Sequence, residues 1–158
     1  MKVSTATVDD AFEIHELAGR LEGLVQHPVH FYNIMIRYFG NSFFLAKDAG
    51  RIVGFVWGFV SQTGPEVFFL WQIGVEEEFR GTGTSYELIG ALTEFAKESG
   101  CRKVCATVET ANIASARMFE KMGFENASKG DIVVENDRKA MVNYYGSGTN
   151  QVMYEFTL

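Results

Sequence analysis

The chain has few cysteines and prolines, with two of each among 158 residues. The two cysteines, Cys101 and Cys105, lie at the start of a predicted strand. Residues four apart in one strand are separated by about 13 Å, which is too far for a disulfide bond. We therefore expect two reduced, buried thiols. Two cysteines with no histidine nearby in the sequence are also too few for a metal site, and none is predicted.

Basic residues are scarce as well: 14 Lys and Arg stand against 20 Asp and Glu, for a net charge of −6. Nucleic-acid binding needs a basic face, so no nucleic-acid partner is predicted. The start, Met1–Thr5, lacks an apolar signal region, and no apolar run is long enough to span a membrane. These absences predict a cytoplasmic protein with no membrane partner. Length and an apolar content of 47% predict a single globular domain over residues 1–158.

The most informative stretch lies in the middle of the chain. The apolar run Phe68–Val75 predicts a buried strand, and an acidic turn follows it. The loop Arg80–Ser85 contains two glycines, and a helical pattern then continues to Ser99. A glycine-containing loop at a helix N-terminus, with its unpaired N–H groups and positive dipole end, is typical of a phosphate site.

Two common phosphate motifs do not fit this loop. A P-loop needs a Lys-Ser or Lys-Thr pair after its second glycine, and the pair is missing. A dinucleotide fingerprint needs a third glycine where Tyr86 stands, and it follows a strand that opens the chain. The phosphate ligand must therefore belong to another class.

The remaining pattern predicts an α/β (α+β) fold with a mixed, mostly antiparallel sheet flanked by helices. A helix is predicted after Thr7–Asp10, and a second from Pro28 to Gly40 with its apolar stripe at Phe31, Ile34, Met35 and Tyr38. Further strands and helices are predicted at 2–8, 42–47, 51–61, 103–108, 112–123, 132–134 and 151–158.

Three segments resemble the GNAT superfamily of N-acetyltransferases. The loop Arg80–Ser85 resembles its acyl-CoA pyrophosphate loop, Gln/Arg-x-x-Gly-x-Gly/Ala, with Ser85 in place of the final small residue. Asn112 and the run Ser115–Phe124 resemble its second signature, and the opening Ala6–Ala11 resembles its first strand and helix start. The resemblance spans nearly the whole chain.

This resemblance implies an acetyl-CoA cosubstrate, held without a metal between two central strands that splay apart. Gly74 would then lie in a bulge that helps the strands separate, and the N–H groups of Ile73 and Val75 would face the pantetheine arm and the thioester. The loop N–H groups would hold the pyrophosphate, and Asn112 would contact the pantetheine. The implied cofactor-binding set is Ile73, Val75, Arg80, Gly81, Thr82, Gly83, Thr84, Ser85, Asn112, Ser115 and Phe119.

Acetyl transfer to an amine also needs a base, since an alkylammonium has a pKa of about 10.4. Glu109, at the end of the fifth strand, is the predicted base. Many GNAT enzymes protonate the leaving thiolate with a tyrosine where this chain has Phe119. Tyr144 is the predicted general acid, with Tyr145, Tyr154 or solvent as alternatives.

A finer resemblance, to the diaminobutyrate acetyltransferases of ectoine synthesis, is carried by Ile52–Phe55, Trp71-Gln72 and the stretch from Thr107 to Phe119. Those enzymes have Asn-Ser-x-Tyr before the second helix, where this chain has His27–His30, so the acceptor stays open. We predict N-acetylation of a small primary amine, such as an amino acid or diamine. Acetylation of a protein N-terminus or lysine, and an acyl-CoA sensor without turnover, are the alternatives. The resemblance also leaves a homodimer open.

Overall fold

The computed structural model describes all residues 1–158, which form nine strands and four α-helices. The strands are β1 (Lys2–Thr5), β2 (Phe43–Asp48), β3 (Arg51–Val60), β4 (Val67–Val75), β5 (Lys103–Glu109), β6 (Glu125–Asn126), β7 (Ile132–Glu135), β8 (Arg138–Met141) and β9 (Gln151–Thr157). The helices are α1 (Ala11–Arg20), α2 (Val29–Phe39), α3 (Thr84–Glu98) and α4 (Ile113–Lys121).

All nine strands belong to one sheet, in the order β1-β2-β3-β4-β5-β9-β8-β7, with β6 beside β9. Only β4 and β5 run parallel, and every other pair is antiparallel. One core cluster joins α1 and α2 to β2 and β3, and the other joins α3 and α4 to the central strands. We call the two sides of the sheet the α1/α2 face and the α3/α4 face.

Local sequence features mark the starts of three helices. Asp10 accepts hydrogen bonds from the N–H (2.7 Å) and the hydroxyl (2.9 Å) of Thr7 just before α1. The Asn112 Oδ1 atom accepts from the N–H of Ser115 (3.1 Å) and caps α4, as predicted. Gly83 precedes α3 with a φ of 96°, a left-handed conformation that favours glycine.

The central strands separate as predicted. β4 and β5 pair over only three register positions, Val67 to Phe69 against Lys103 to Cys105. Beyond Phe69 the facing edges of β4 and β5 have no strand partner in each other, although each strand continues to pair on its other side. This gap lies in the middle of the sheet, where an extended ligand arm can take the place of a strand.

The bulge in β4 falls at Trp71, so the expectation of a bulge at Gly74 is wrong. The register with β3 shifts between Trp57, opposite Gln72, and Gly58, opposite Leu70, which leaves Trp71 as the extra residue. Gly74 is needed for a different reason: a Cβ there would lie 2.6 Å from Leu21 Cδ1. The small residue lets the end of α1 pack on β4.

The predicted apolar stripe of α2 is partly wrong. The buried residues are Tyr32 and Ile36, whereas Ile34 is 45% and Tyr38 is 77% exposed. Phe31 and Met35 do pack against the core. The inward face is therefore rotated from the predicted one, because α2 packs through residues 31, 32, 35 and 36.

The C-terminal segment contains a hairpin of which the sequence analysis predicted only the first strand. β7 and β8 pair around Asn136 and Asp137, which both have positive φ (50° and 64°). A two-residue Asn-Asp turn between short strands is a recognisable hairpin signal. The same segment provides the last strands of the sheet beyond β9.

Both cysteines are buried and free, as expected, although Cys101 precedes β5. No helix has the length and apolar character needed to cross a membrane. No group of three or more His, Cys, Asp or Glu side chains is arranged to hold a metal ion.

Candidate active site

The loop before α3 presents its main chain to the outside. Gly81 and Gly83 have φ values of 76° and 96°, and a Cβ built on either residue would meet no atom within 4 Å. The backbone at these two positions is therefore open to a ligand. The 15-residue helix α3 starts at Thr84 and adds unpaired N–H groups and its positive dipole end. Such a cradle fits a pyrophosphate.

The open edge of β4 points its N–H groups into the gap. The N–H of Glu76 donates to the carbonyl of Val53 on β3 (2.9 Å). Because N–H groups alternate between the two edges of a strand, those of Val75 and Ile73 are directed toward β5. The Arg80 Nε atom donates to the carbonyl of Val75 (3.3 Å) at the end of the gap. The structure thus brings Ile73, Val75 and the loop together.

An ion-pair network holds the segment between β4 and this loop. The Glu76 carboxylate accepts from Arg51 (2.6 Å) and from Arg20 (3.1 Å), and Arg51 also reaches Glu78 (2.9 Å). Burial raises the pKa of Glu76, but the bonds from the two arginines outweigh burial and lower it. The network links α1 and β3 to the segment just before the loop Arg80–Ser85. The sequence does not predict it, because its members are far apart in the chain.

The bulge places two consecutive side chains on one face. Trp71 contacts the aromatic rings of Trp57 (5.7 Å) and Phe59 (6.2 Å), and Gln72 lies opposite Trp57. Both side chains therefore lie on the α1/α2 face. Trp71 is 49% exposed, which gives this face an open aromatic wall beside the gap.

On β5 the same face carries Thr107 and Glu109, because Ala106 and Val108 belong to the core on the opposite side. Glu109 is exposed, and its carboxylate makes no hydrogen bond or ion pair. The predicted base thus lies four residues beyond Cys105, the last β5 residue paired with β4, with a free carboxylate on the α1/α2 face.

The loop between α1 and α2 covers this region. Gln72 Nε2 donates to the carbonyl of Val25 (2.8 Å), and the N–H of His27 donates to the Tyr32 hydroxyl (3.2 Å). The His27 ring lies 4.1 Å from the ring of Phe31. Burial lowers the pKa of His27 and so favours the neutral form of its ring.

The three tyrosines considered as general acids have different surroundings. The Tyr145 hydroxyl is 2.9 Å from the Thr107 hydroxyl, so Tyr145 reaches β5. Tyr144 packs on Tyr145 (4.7 Å) and lines a cavity of about 290 Å³ beside Met153. Tyr145 rather than Tyr144 is thus in contact with β5, although Tyr144 stays the predicted acid until it is tested.

Tyr154 is buried on the α3/α4 face, where its ring stacks on Phe119 (5.7 Å). Its hydroxyl donates to Glu120 (2.8 Å), and Glu120 is also bound by Arg138 (2.6 Å). Burial and the bond to Glu120 raise the pKa of Tyr154 to about 12.

A sheet that opens between two parallel central strands, with a glycine-containing loop and a helix N-terminus at one end of the gap, defines the class of acyl-CoA-binding transferases. The residues fit coenzyme A: the open glycine backbone suits the pyrophosphate, and the unpaired strand edge suits an extended amide-containing arm. The chain belongs to this class in a specific family. Residues 8–124 match the acetyltransferase (GNAT) family, and the chain is a member of it.

Similar sequences include two L-2,4-diaminobutyric acid acetyltransferases. The one from Shouchella clausii is 33% identical over 122 residues, which cover 77% of this chain and 68% of that protein. The one from Halalkalibacterium halodurans is 33% identical over 123 residues, which cover 78% of this chain and 65% of that protein. The matched region thus spans about two thirds of each relative.

Two solved structures share the fold. The diaminobutyrate acetyltransferase EctA from Paenibacillus lautus, in complex with L-2,4-diaminobutyric acid and coenzyme A, has a TM-score of 0.78 at 22% identity, covering 99% of this chain and 93% of that one. Ard1 from Thermoplasma volcanium has a TM-score of 0.81 at 20% identity, covering 99% and 97%. The predicted GNAT family and fold and the N-acetyltransferase class are confirmed.

Proposed function

We propose that this protein transfers the acetyl group of acetyl-CoA to the primary amine of a small molecule such as an amino acid or a diamine. The diaminobutyrate acetyltransferases similar to it support a small amine as acceptor. The observation that carries the proposal is the gap between β4 and β5. The unpaired main-chain edge of β4 lines one side of this gap, and the free carboxylate of Glu109 lies at the end of β5 on the other side.

Each part of the cofactor-binding set has a role in this proposal. The N–H groups from Arg80 to Ser85 hold the pyrophosphate, and Asn112 and Ser115 at the start of α4 contact the pantetheine arm. The N–H groups of Ile73 and Val75 face the thioester end. An N–H directed at the thioester carbonyl stabilises the negative charge that develops on its oxygen during amine attack. Bound acetyl-CoA supplies the activated acyl group.

Glu109 is the proposed base, directly or through one water molecule. Its carboxylate is free of partners on the α1/α2 face, where Trp71 is open to an incoming substrate. An acceptor ammonium is attracted to this carboxylate before it loses a proton to it. The aromatic wall adds a favourable surface for the same cation.

The chain has Phe119 in place of the tyrosine of the second signature. The Phe119 side chain is 2% exposed and packs on Tyr154 and Phe124. Tyr144 stays the proposed acid, and solvent protonation is the competing route. The thiolate of a thiol with a pKa of about 8.5 is stable enough to leave without an acid. It can then take its proton from water near neutral pH.

The first test is release of free thiol from acetyl-CoA with a panel of amines that includes diaminobutyrate, diamines, polyamines and a peptide bearing a free N-terminus. We expect release with small amines and none with the peptide. Release with the peptide alone would favour the protein acetyltransferase. Tight acetyl-CoA binding by calorimetry, with no release for any amine, would favour the sensor.

We also propose several broader features on the basis of the sequence. They are a cytoplasmic location, one domain spanning residues 1–158, a homodimer, and no nucleic-acid or membrane partner. Size-exclusion chromatography with light scattering tests the dimer directly.

A further inference from the structure

Two side-chain polar atoms in the protein are buried without a hydrogen-bond partner: Trp57 Nε1 and Gln72 Oε1. Their residues are 2% and 7% exposed. Leaving a buried donor or acceptor unpaired is costly, and native structures rarely do so without a reason. Both atoms therefore call for a partner.

The two atoms belong to residues that lie directly opposite each other on β3 and β4. Directly opposite residues have Cβ atoms about 5 Å apart and point to the same face. One atom is a donor and the other an acceptor, yet they do not bond to each other. A single group that both accepts and donates a hydrogen bond would satisfy both atoms.

Both groups are held rigidly. The Trp57 ring stacks on Phe43 (5.8 Å) and Trp71 (5.7 Å), with Phe31 edge-on at 5.8 Å. The Gln72 amide is oriented by the bond from its Nε2 to the carbonyl of Val25 (2.8 Å), which leaves Oε1 as the free end. Neither side chain can turn to another partner without losing these contacts.

We propose that Trp57 Nε1 and Gln72 Oε1 form a two-point polar site for one hydroxyl-type oxygen, which accepts from the indole and donates to the amide. A carboxylate cannot donate to Gln72, and an ammonium cannot accept from Trp57. The oxygen comes from a hydroxyl of the acceptor amine or from a water molecule held beneath it. The first source assigns hydroxylated amines as the substrate class, and this part rests on the proposed acetyl transfer.

The position of the pair supports a role in acceptor selection. Gln72 is adjacent in β4 to Ile73, whose N–H faces the gap, and to Trp71, whose ring forms the open wall. The Val25 carbonyl ties the pair to the α1–α2 loop. An acceptor that enters along Trp71 is therefore expected to meet this site at the inner end of its path.

The indole N–H gives a readout that does not need turnover. The chain has only two tryptophans, so a Trp71→Phe variant assigns the Trp57 signal in the nitrogen–proton NMR spectrum. We expect Gln72→Met to shift the Trp57 signal and speed its hydrogen exchange by about tenfold. Gln72→Glu is the conservative variant, because a protonated carboxyl repeats the donor and acceptor of the amide, and it should retain the wild-type signal at low pH.

The kinetic arm separates the two sources of the oxygen. Ethanolamine is compared with ethylamine, and serine with alanine, in the wild type and in Gln72→Met. A loss of about tenfold in kcat/KM confined to the hydroxylated amines assigns the oxygen to the substrate. An equal loss for both members of each pair, or an indole response in a protein that acetylates no amine, assigns it to water.

An unchanged Trp57 signal and unchanged exchange in a folded Gln72→Met variant overturn the polar site, whatever the activity. If Gln72→Met does not fold, the wild-type exchange rate decides. The site is supported if the Trp57 N–H exchanges its hydrogen much more slowly than the Trp71 N–H, and if the Trp57 NMR signal shifts when ethanolamine but not ethylamine is added. Fast exchange with no shift overturns it. Absence of turnover with every amine counts against the proposed function alone.

Discussion

The proposed cofactor half and the proposed acceptor half of this molecule are built in different ways. The cofactor half uses main-chain groups of one continuous stretch, from Ile73 through the glycine loop to the start of α3. The acceptor half uses side chains brought together from the α1–α2 loop, β4, β5 and the loop before β9. The first tolerates changes of side chain but not of backbone geometry, whereas the second depends on the identity of each side chain.

Because the two halves depend on different groups, we expect substitutions to change one half without changing the other. Backbone N–H groups are the same in every sequence that keeps the glycines and the strand. The covering loop here contains His27 and is anchored through Val25 and Tyr32, so a few substitutions there reshape the acceptor side without touching the cofactor side. The following predictions test this division.

The largest effect is expected at Glu109, on the acceptor half. Glu109→Gln removes the proposed base and should lower kcat/KM for the amine by about 100-fold, with little change in acetyl-CoA affinity. Steady-state kinetics from about pH 6 to about pH 9 measure this loss. Glu98→Gln, an exposed carboxylate at the end of α3, is the control. Full activity of Glu109→Gln throughout that range would remove Glu109 from the mechanism.

The next effect is expected at Gly83, on the cofactor half. Gly83→Arg strains a left-handed residue and fills the cradle, so KM for acetyl-CoA should rise by more than about tenfold while KM for the amine stays unchanged. Gly90→Arg is the matched control, because Gly90 lies exposed within α3 and a Cβ there meets nothing within 4 Å. Unchanged acetyl-CoA affinity in Gly83→Arg would contradict the pyrophosphate assignment.

A small effect is expected at Phe119. Phe119→Tyr restores the tyrosine of the second signature, but the position is buried against Tyr154 and Phe124. We expect kcat to change by less than about twofold, since a thiolate whose conjugate acid has a pKa of about 8.5 leaves readily whether Tyr144 or water protonates it. Phe124→Tyr, a neighbouring buried ring, controls for the added hydroxyl. A large gain in kcat for Phe119→Tyr alone would show that thiolate protonation is limiting.

The smallest effect is expected in stability at acid pH. Arg138 holds the pKa of Glu120 down at about 2, against an ordinary value of 4.5. The pair therefore stabilises the fold above about pH 4.5, and this contribution is lost as the pH falls from 4.5 toward 2. Because Glu120 is 41% exposed, the effect should stay below about 1 kcal/mol.

Urea unfolding of the wild type and of Glu120→Gln at a series of pH values measures this effect. The wild type should be the more stable at neutral pH, and the two should converge at low pH. A constant difference at every pH would mean that Arg138 does not anchor the β7–β8 hairpin to α4 through this charge.

Much of the cofactor half could be predicted because its signals are local. The strand, the two glycines and the helix pattern lie within about thirty consecutive residues, and the capping Asn112 stands beside the helix it caps. The inward face of α2 was predicted incorrectly, because two apolar faces compete and only packing against β2 and β3 decides between them. The bulge at Trp71 has no local signature, since it is a matter of register with β3.

By itself the sequence determined the order of most elements, the family and the loop proposed to hold a pyrophosphate, because each depends on residues close together in the chain. Only the tertiary structure decided that Glu76 gathers Arg20 and Arg51, that Tyr145 rather than Tyr144 reaches β5, and that Trp57 faces Gln72. The physical reason is that these contacts join residues many positions apart, and their geometry exists only once the strands are in register.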